Sequence, residues 1–368
     1  MSPQPLRRRV GQLLIGSFNG PVIPVELRSL AREFDCGGIT LFGRLGNIEA
    51  PSQVAELAFD LRSLGQELPA WVGIDQEGGR VARLRSPFTE WPPMAMLGRS
   101  GDVELARRFA RALAVEMMAV GVSLDYAPVL DIHTNPKNPV IGDRALGEQP
   151  EIVARLGRAI IEEMQKAGMA ACGKHFPGHG DTATDSHLEL PIVEHPPDRL
   201  RAIELAPFRA AIEARVAFIM TAHVLVPSID DRNPATLSSR IVGDILRDEL
   251  GFQGVIVSDD LEMKAIADRS SPGEAAVAAI AAGCDALLMC GKGNAVNIGL
   301  QVEALEALVH AIEGGRLRVK QVEASLERNR AAKERFLRAW RPMTDAELKR
   351  VIGADEHRAI SDQMASFA

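Results

Sequence analysis

Eight short apolar runs recur along the chain, at 13–17, 39–42, 71–75, 123–127, 171–175, 218–223, 255–259 and 285–290. Most are apolar at nearly every position rather than at alternate ones, as parallel strands covered on both faces require. Between them lie stretches with apolar residues at helical spacing, clearest at 52–64, 102–120, 151–167, 197–214, 238–250 and 272–282. Strand–helix alternation repeated eight times predicts a single α/β domain, a closed (β/α)8 barrel of the TIM type. A doubly wound open sheet is the competing arrangement. It calls for a glycine-rich phosphate fingerprint after an early strand, and the chain carries none. Residues 319–340 read as a long charged amphipathic helix, and 342–368 as a polar, helical tail. No Ser/Gly/Pro linker divides the chain, so the expected organisation is a barrel over 1–340 and a peripheral helical tail over 341–368.

Composition narrows the function classes. Hydrophobic residues make up 46% and charged residues 25%, the balance of a soluble enzyme large enough to bury a full core. The formal net charge of -7, without any long basic block, argues against a nucleic-acid partner. No run of about 20 apolar residues is present, so no membrane span is expected. The opening Arg7, Arg8 and Arg9 lead into too short an apolar run for a signal peptide, which makes the cytoplasm the expected compartment. Cys36, Cys172, Cys284 and Cys290 form no C-x-x-C pair and are expected as buried, reduced core residues. Aromatic residues are only 4% of the chain, which favours a pocket for one terminal unit over a long groove lined with rings.

Polar residues then fall where a barrel would use them. Asp75 ends the third strand, Asp131 follows the fourth, Lys174 and His175 end the fifth, His223 the sixth, and Asp259 and Asp260 the seventh. In a barrel these ends converge on one face, where active sites are built. One such residue could be a structural cap, but five strand ends with the same character point to a functional face. The loop at 174–187 adds His175, His179 and His187 together with Asp181 and Asp185, while Pro177, Gly178 and Gly180 exclude a regular helix. Asp185 and His187 are two residues apart, close enough for a carboxylate to orient an imidazole and raise its proton affinity. Such a histidine can donate a proton near neutral pH and take it back. The same loop also supplies metal-ligand types, so a metal-dependent barrel hydrolase is the rival reading; the His-x3-His spacing, however, works as a ligand pair on a helix, and the helix is excluded.

Four motifs carry a family resemblance over nearly the whole chain to about residue 340: GIDQEGGR at 73–80, IGDR at 141–144, GKHFPGHGD at 173–181 with DSH at 185–187, and SDDLEM at 258–263. Together, in this order, they resemble the β-N-acetylhexosaminidases of glycoside hydrolase family 3, in particular the single-barrel members typical of Gram-negative bacteria. The resemblance implies Asp259 as nucleophile, His187 as general acid/base and Asp185 as its partner. It implies sugar contacts from Asp75, Arg83, Arg144, Lys174 and His175, and no cofactor or metal. It further implies a cytoplasmic role in cell-wall recycling, releasing N-acetylglucosamine from muropeptide fragments; a monomer is the expected state.

The residue types suit that chemistry. A retaining glycosidase needs a carboxylate nucleophile and a proton donor flanking one bond. A histidine beside Asp185 is already near the required pKa and avoids placing a second anion close to Asp259. Substrate-assisted catalysis would need an acidic pair at the site, but Asp248/Glu249 precede the seventh strand and Asp355/Glu356 lie in the tail. Each contact residue also has a plainer reading. Asp75 and Arg83 could form a structural ion pair, Lys174 and His175 could cap a strand, and Arg144 could be solvated. Asp260 and Glu262 are expected to be structural or solvent-facing, and a cation or donor, with Lys174 or His175 as candidates, is expected beside Asp259 to offset Asp260. A non-catalytic sugar-binding protein is the alternative from another class.

Overall fold

The structure, a computed structural model, describes residues 5–186 and 189–368. Eight strands pair in sequence order, all parallel, and close on themselves: β1 Leu14–Gly16, β2 Gly38–Thr40, β3 Trp71–Ile74, β4 Leu124–Asp125, β5 Ala170–Phe176, β6 Phe218–Thr221, β7 Val255–Asp260 and β8 Ala286–Leu288. The last strand returns to the first with Leu14 opposite Leu287. The expected (β/α)8 barrel is therefore the fold.

Alternation along each strand divides the apolar residues into two cores. One set, with Ile15, Trp71, Tyr126, Cys172, Phe218, Met220, Val257 and Leu288, fills the barrel interior. Trp71 and Phe218 meet there edge to face, with ring centroids 5.3 Å apart. The other set, with Val72, Ile74, Ala171, Ile219, Ile256 and Leu287, packs outward against the helices. Phe336 and Leu337, at the end of the Val319–Phe336 helix, join the interior set.

The helices start and stop for local reasons. Asp102 accepts the N–H groups of Glu104 at 2.8 Å and Leu105 at 3.1 Å and so begins the Val103–Ala119 helix. Ser271 and Glu274 form a capping box at the start of the Pro272–Ala282 helix, and Gly283, at φ 118°, ends it in a conformation that favours glycine. The single helix expected at 197–214 is instead two, Pro197–Ala202 and Ala206–Glu213. Pro207 has no N–H to continue the ladder and sits where proline is tolerated, in the first turn of the second helix.

All four cysteines are buried and unpaired, as expected. Among the described residues no helix is long and apolar enough to cross a membrane. The tail forms two helices, Asp345–Val351 and Asp355–Ala365. They bury Leu348, Ile360 and Met364, and Ile352 between them, in the outer core. His357 Nδ1 and the N–H of Gly353 reach Glu116, a buried carboxylate on the Val103–Ala119 helix, at 2.7 and 3.0 Å.

Candidate active site

A cavity of about 610 Å³ opens at the C-terminal ends of the strands. Its lower part is lined by Thr40, Tyr126, Met220 and Leu288, and its sides by Asp75, Glu77, Arg83, Arg144, Lys174, His175 and Asp259. Six of the eight residues expected at the site thus line one cavity. Asp185 is half-buried on the loop after β5, next to Ser186, whose side chain also lines the cavity. His187 lies outside the described residues.

The strand ends are tied together by an ion network built from the bottom up around Lys174. Its ammonium is 2% exposed and lies 2.7 Å from both Asp75 and Glu77. Glu77, 1% exposed, also receives Arg144 through two parallel bonds of 2.8 Å, the fork geometry in which a guanidinium binds a carboxylate most strongly. Arg83 approaches Asp75 at 3.4 Å. Burial works to strip the Lys174 proton, yet Asp75 and Glu77 outweigh it and hold its pKa above the usual lysine value. Burial likewise opposes charge on the carboxylates, but Lys174 and Arg83 hold Asp75 well below the usual range, and Arg144 and Lys174 bring Glu77 down to about 2. The network thus sets two acidic side chains against three basic ones. Arg144 is therefore a clamped side chain rather than a solvated one, and Asp75 with Arg83 is an ion pair that also faces the cavity.

A second network holds the histidine loop. Asp131, fully buried after β4, accepts His175 Nδ1 at 2.6 Å and the backbone N–H groups of His175 and His179 at 3.3 and 2.7 Å. This fixes the His175 ring where it lines the cavity. The Thr182 hydroxyl donates to the His179 carbonyl, so it accepts from His179 Nδ1–H at 2.7 Å; Nε2 then accepts from the Ser186 hydroxyl at 3.2 Å. Burial pushes His179 down to about 4, so the ring is neutral at pH 7 and serves as a strut. Gly180 packs so close that a Cβ would fall 1.8 Å from the Ile132 carbonyl oxygen, which explains a glycine at that point of the motif.

On the opposite side, Asp259 Oδ1 accepts the N–H of Asp260 at 2.8 Å. The backbone N–H of Asp260 is thus one donor to Asp259, and the Lys174 ammonium is bound to Asp75 and Glu77. Asp260 accepts the N–H groups of Glu262 and Cys290, both at 3.1 Å and both on Oδ1. Burial lifts its carboxyl to about 7 against those two donors. Glu262 accepts Gly291 N–H at 2.9 Å, so both acids have the structural role expected of them. His223 Nε2 donates to the Asp260 carbonyl at 2.9 Å, with Nδ1 on the Thr236 hydroxyl at 2.8 Å. It holds the end of β7 from β6. Among the described residues, no three His, Cys, Asp or Glu side chains gather as a metal site would need.

Glu77 is a site-building residue not expected from the sequence, and Asp131, expected at the functional face, has a role that the sequence leaves open. Glu77 stands inside the 73–80 motif, two positions after Asp75, but its partners are far along the chain. Asp131 is visible as a polar residue after a strand, and only the folded loop shows what it binds.

A parallel barrel that concentrates charged groups at one rim is the architecture of a barrel enzyme working at the C-terminal ends of its strands. Residues 5–331 match the Glycosyl hydrolase family 3 N terminal domain, and the chain belongs to that family of glycosidases. It is 34% identical over 371 residues to "Beta-hexosaminidase A" of Pseudoalteromonas piscicida, covering 94% of this chain and 61% of that protein's length. Among solved structures, a glycoside hydrolase family 3 β-N-acetylglucosaminidase from Paenibacillus superposes with a TM-score of 0.91 at 41% identity, covering 99% of this chain and 69% of that one. NagZ from Neisseria gonorrhoeae, in complex with N-trifluoroacetyl-D-glucosamine, superposes at 0.78 with 31% identity, covering 97% of each chain.

Proposed function

We propose that the protein is a retaining β-N-acetylhexosaminidase that removes terminal, non-reducing β-linked N-acetylglucosamine, with muropeptide fragments of the cell wall as substrates. The observation that carries this reading is one cavity lined both by the Asp259 carboxylate, at the end of β7, and by the Asp75–Lys174–Glu77–Arg144 network. The volume of about 610 Å³ suits one sugar and part of its neighbour rather than a polymer. The similarity to the Paenibacillus β-N-acetylglucosaminidase and to a NagZ bound to an N-acylated glucosamine points to the same sugar.

In this mechanism Asp259 attacks the anomeric carbon as the bond to the leaving oxygen breaks, forming a glycosyl ester. His187, oriented by Asp185, protonates the leaving oxygen. It then takes a proton from the water that opens the ester, so the β-configuration is restored. Asp75, Arg83, Arg144, Lys174 and His175 hold the sugar hydroxyls through charge-assisted hydrogen bonds. The protein acts as a monomer in the cytoplasm, without a cofactor. Four buried free thiols fit a reducing compartment.

The test is trapping with a fluorinated, slowly released N-acetylglucosaminyl donor, followed by peptide mapping. The expected result is one sugar esterified to Asp259. Label on another residue would refute the nucleophile, and an unlabelled enzyme that releases the inverted anomer would refute the retaining mechanism.

A further inference from the structure

The two ends of the barrel differ in charge. The catalytic end brings acidic and basic side chains into one cavity. At the opposite end a second pocket, of about 300 Å³, has Val122 and Ser123, just before β4, and Gly168, just before β5, in its wall. Trp340 lines it too, with its indole N–H donating to the Met118 carbonyl at 3.1 Å. Four cations complete the lining. Arg62 ends the helix Pro51–Arg62, Lys166 stands in the last turn of the helix Pro150–Ala167, and Arg335 and Arg338 flank Phe336 and Leu337 where these enter the barrel interior. None of the lining residues is acidic.

Lys166 has a carboxylate nearby, Glu163 at 3.4 Å. The arginines are bonded differently. Arg62 donates to the Arg338 carbonyl at 2.6 Å and Arg335 to the Arg215 carbonyl at 3.2 Å, which orients both groups and cancels neither charge. Burial lowers the pKa of Arg62, and burial together with the Arg215 charge lowers that of Arg335; no carboxylate offsets either effect. The helices Pro51–Arg62, Val103–Ala119 and Pro150–Ala167 all end near the pocket, and their carbonyl ends favour cations. Each such end carries about half a unit of negative charge, so the three ends and Glu163 together still leave more than one positive charge unanswered.

We infer that this pocket binds a small diphosphate-bearing anion, gripped by Arg62, Arg335 and Arg338. A guanidinium fork matches two oxygens of a phosphate group, and the volume stands at the small end of ligand pockets. The bound anion bridges the segment after the Val319–Phe336 helix to the Pro51–Arg62 helix and so holds Phe336 and Leu337 in the interior. The site is independent of the proposed glycosidase chemistry.

Isothermal titration calorimetry of the full chain, at fixed ionic strength, tests this with sodium pyrophosphate and sodium phosphate. Pyrophosphate is expected to saturate one site with a Kd about tenfold or more below that of phosphate, the gain from further charge-assisted bonds. Arg335→Gln/Arg338→Gln, at two exposed positions, should weaken pyrophosphate by a similar factor, and Arg62→Gln should move it the same way. Arg318→Gln/Lys320→Gln removes the same charge at the far end of the Val319–Phe336 helix and should leave the Kd unchanged. No saturable binding of pyrophosphate, equal affinity for the two anions, or equal weakening by the two double variants would each overturn the inference.

Discussion

Glu77 shows what a single side chain contributes to this site. It is the only anion touching both Lys174 and Arg144 among the described residues, and it does so from a position with no solvent. Glu77→Gln removes the charge that keeps both cations paired and turned toward the cavity. Losing a charge-assisted bond of this kind weakens substrate binding by about tenfold or more, so KM should rise more than kcat falls. Initial-rate kinetics on an aryl β-N-acetylglucosaminide check this; an unchanged KM would show that the network stands without Glu77. The residue was not legible in the sequence because its meaning lies in contacts 67 and 97 positions away. Asp75, Lys174, His175 and Asp259 were legible for a different reason. Each ends or nearly ends an apolar run, and the barrel converts that one-dimensional fact into a shared face.

At the scale of elements, the strands could be read because burial on both faces leaves an unbroken apolar run. Their ends were less certain: β4 pairs only at Leu124 and Asp125, and Pro128 then interrupts the N–H series. The tail shows the limit of the periodicity argument. Its polar composition suggested only a peripheral position, whereas Glu116 binds it through Gly353 N–H and His357 and also accepts Thr89 N–H at 2.9 Å and the Thr89 hydroxyl at 2.6 Å. Glu116→Ala should leave these buried donors unanswered at a cost of about 1–3 kcal/mol each at most, partly offset by rearrangement. Urea unfolding should show a lower midpoint, and limited proteolysis should cut first within 341–368. A midpoint equal to that of the wild type would mean that the apolar contacts of Ile352, Ile360 and Met364 suffice.

Across the whole molecule, Asp260 couples the site to stability. Its folded-state pKa of about 7 lies above the 3.8 of an ordinary aspartate, so the folded protein binds the extra proton between those values. The resulting stabilisation is complete below the unfolded value and is lost as pH rises through the folded one. Both backbone bonds end on Oδ1, an oxygen that asparagine also supplies. Asp260→Asn should therefore keep both bonds and flatten the fall in Tm between pH 4 and pH 7, as melting curves across that range would show. A profile as steep as that of the wild type would assign the pH dependence to another group.

The interior of the barrel carries a consequence for how the chain comes to be folded. β1 finds its second neighbour only in β8, and the interior core includes Phe336 and Leu337, which lie some 320 residues after Ile15. A chain leaving the ribosome from its N-terminus has strands with open edges and an incomplete interior until Leu337 has emerged. Helix–strand units can form earlier, but closure waits for the last helix of the barrel. The finished site, whose parts come from β2 through β8, is thus assembled only once the chain through Leu337 is available.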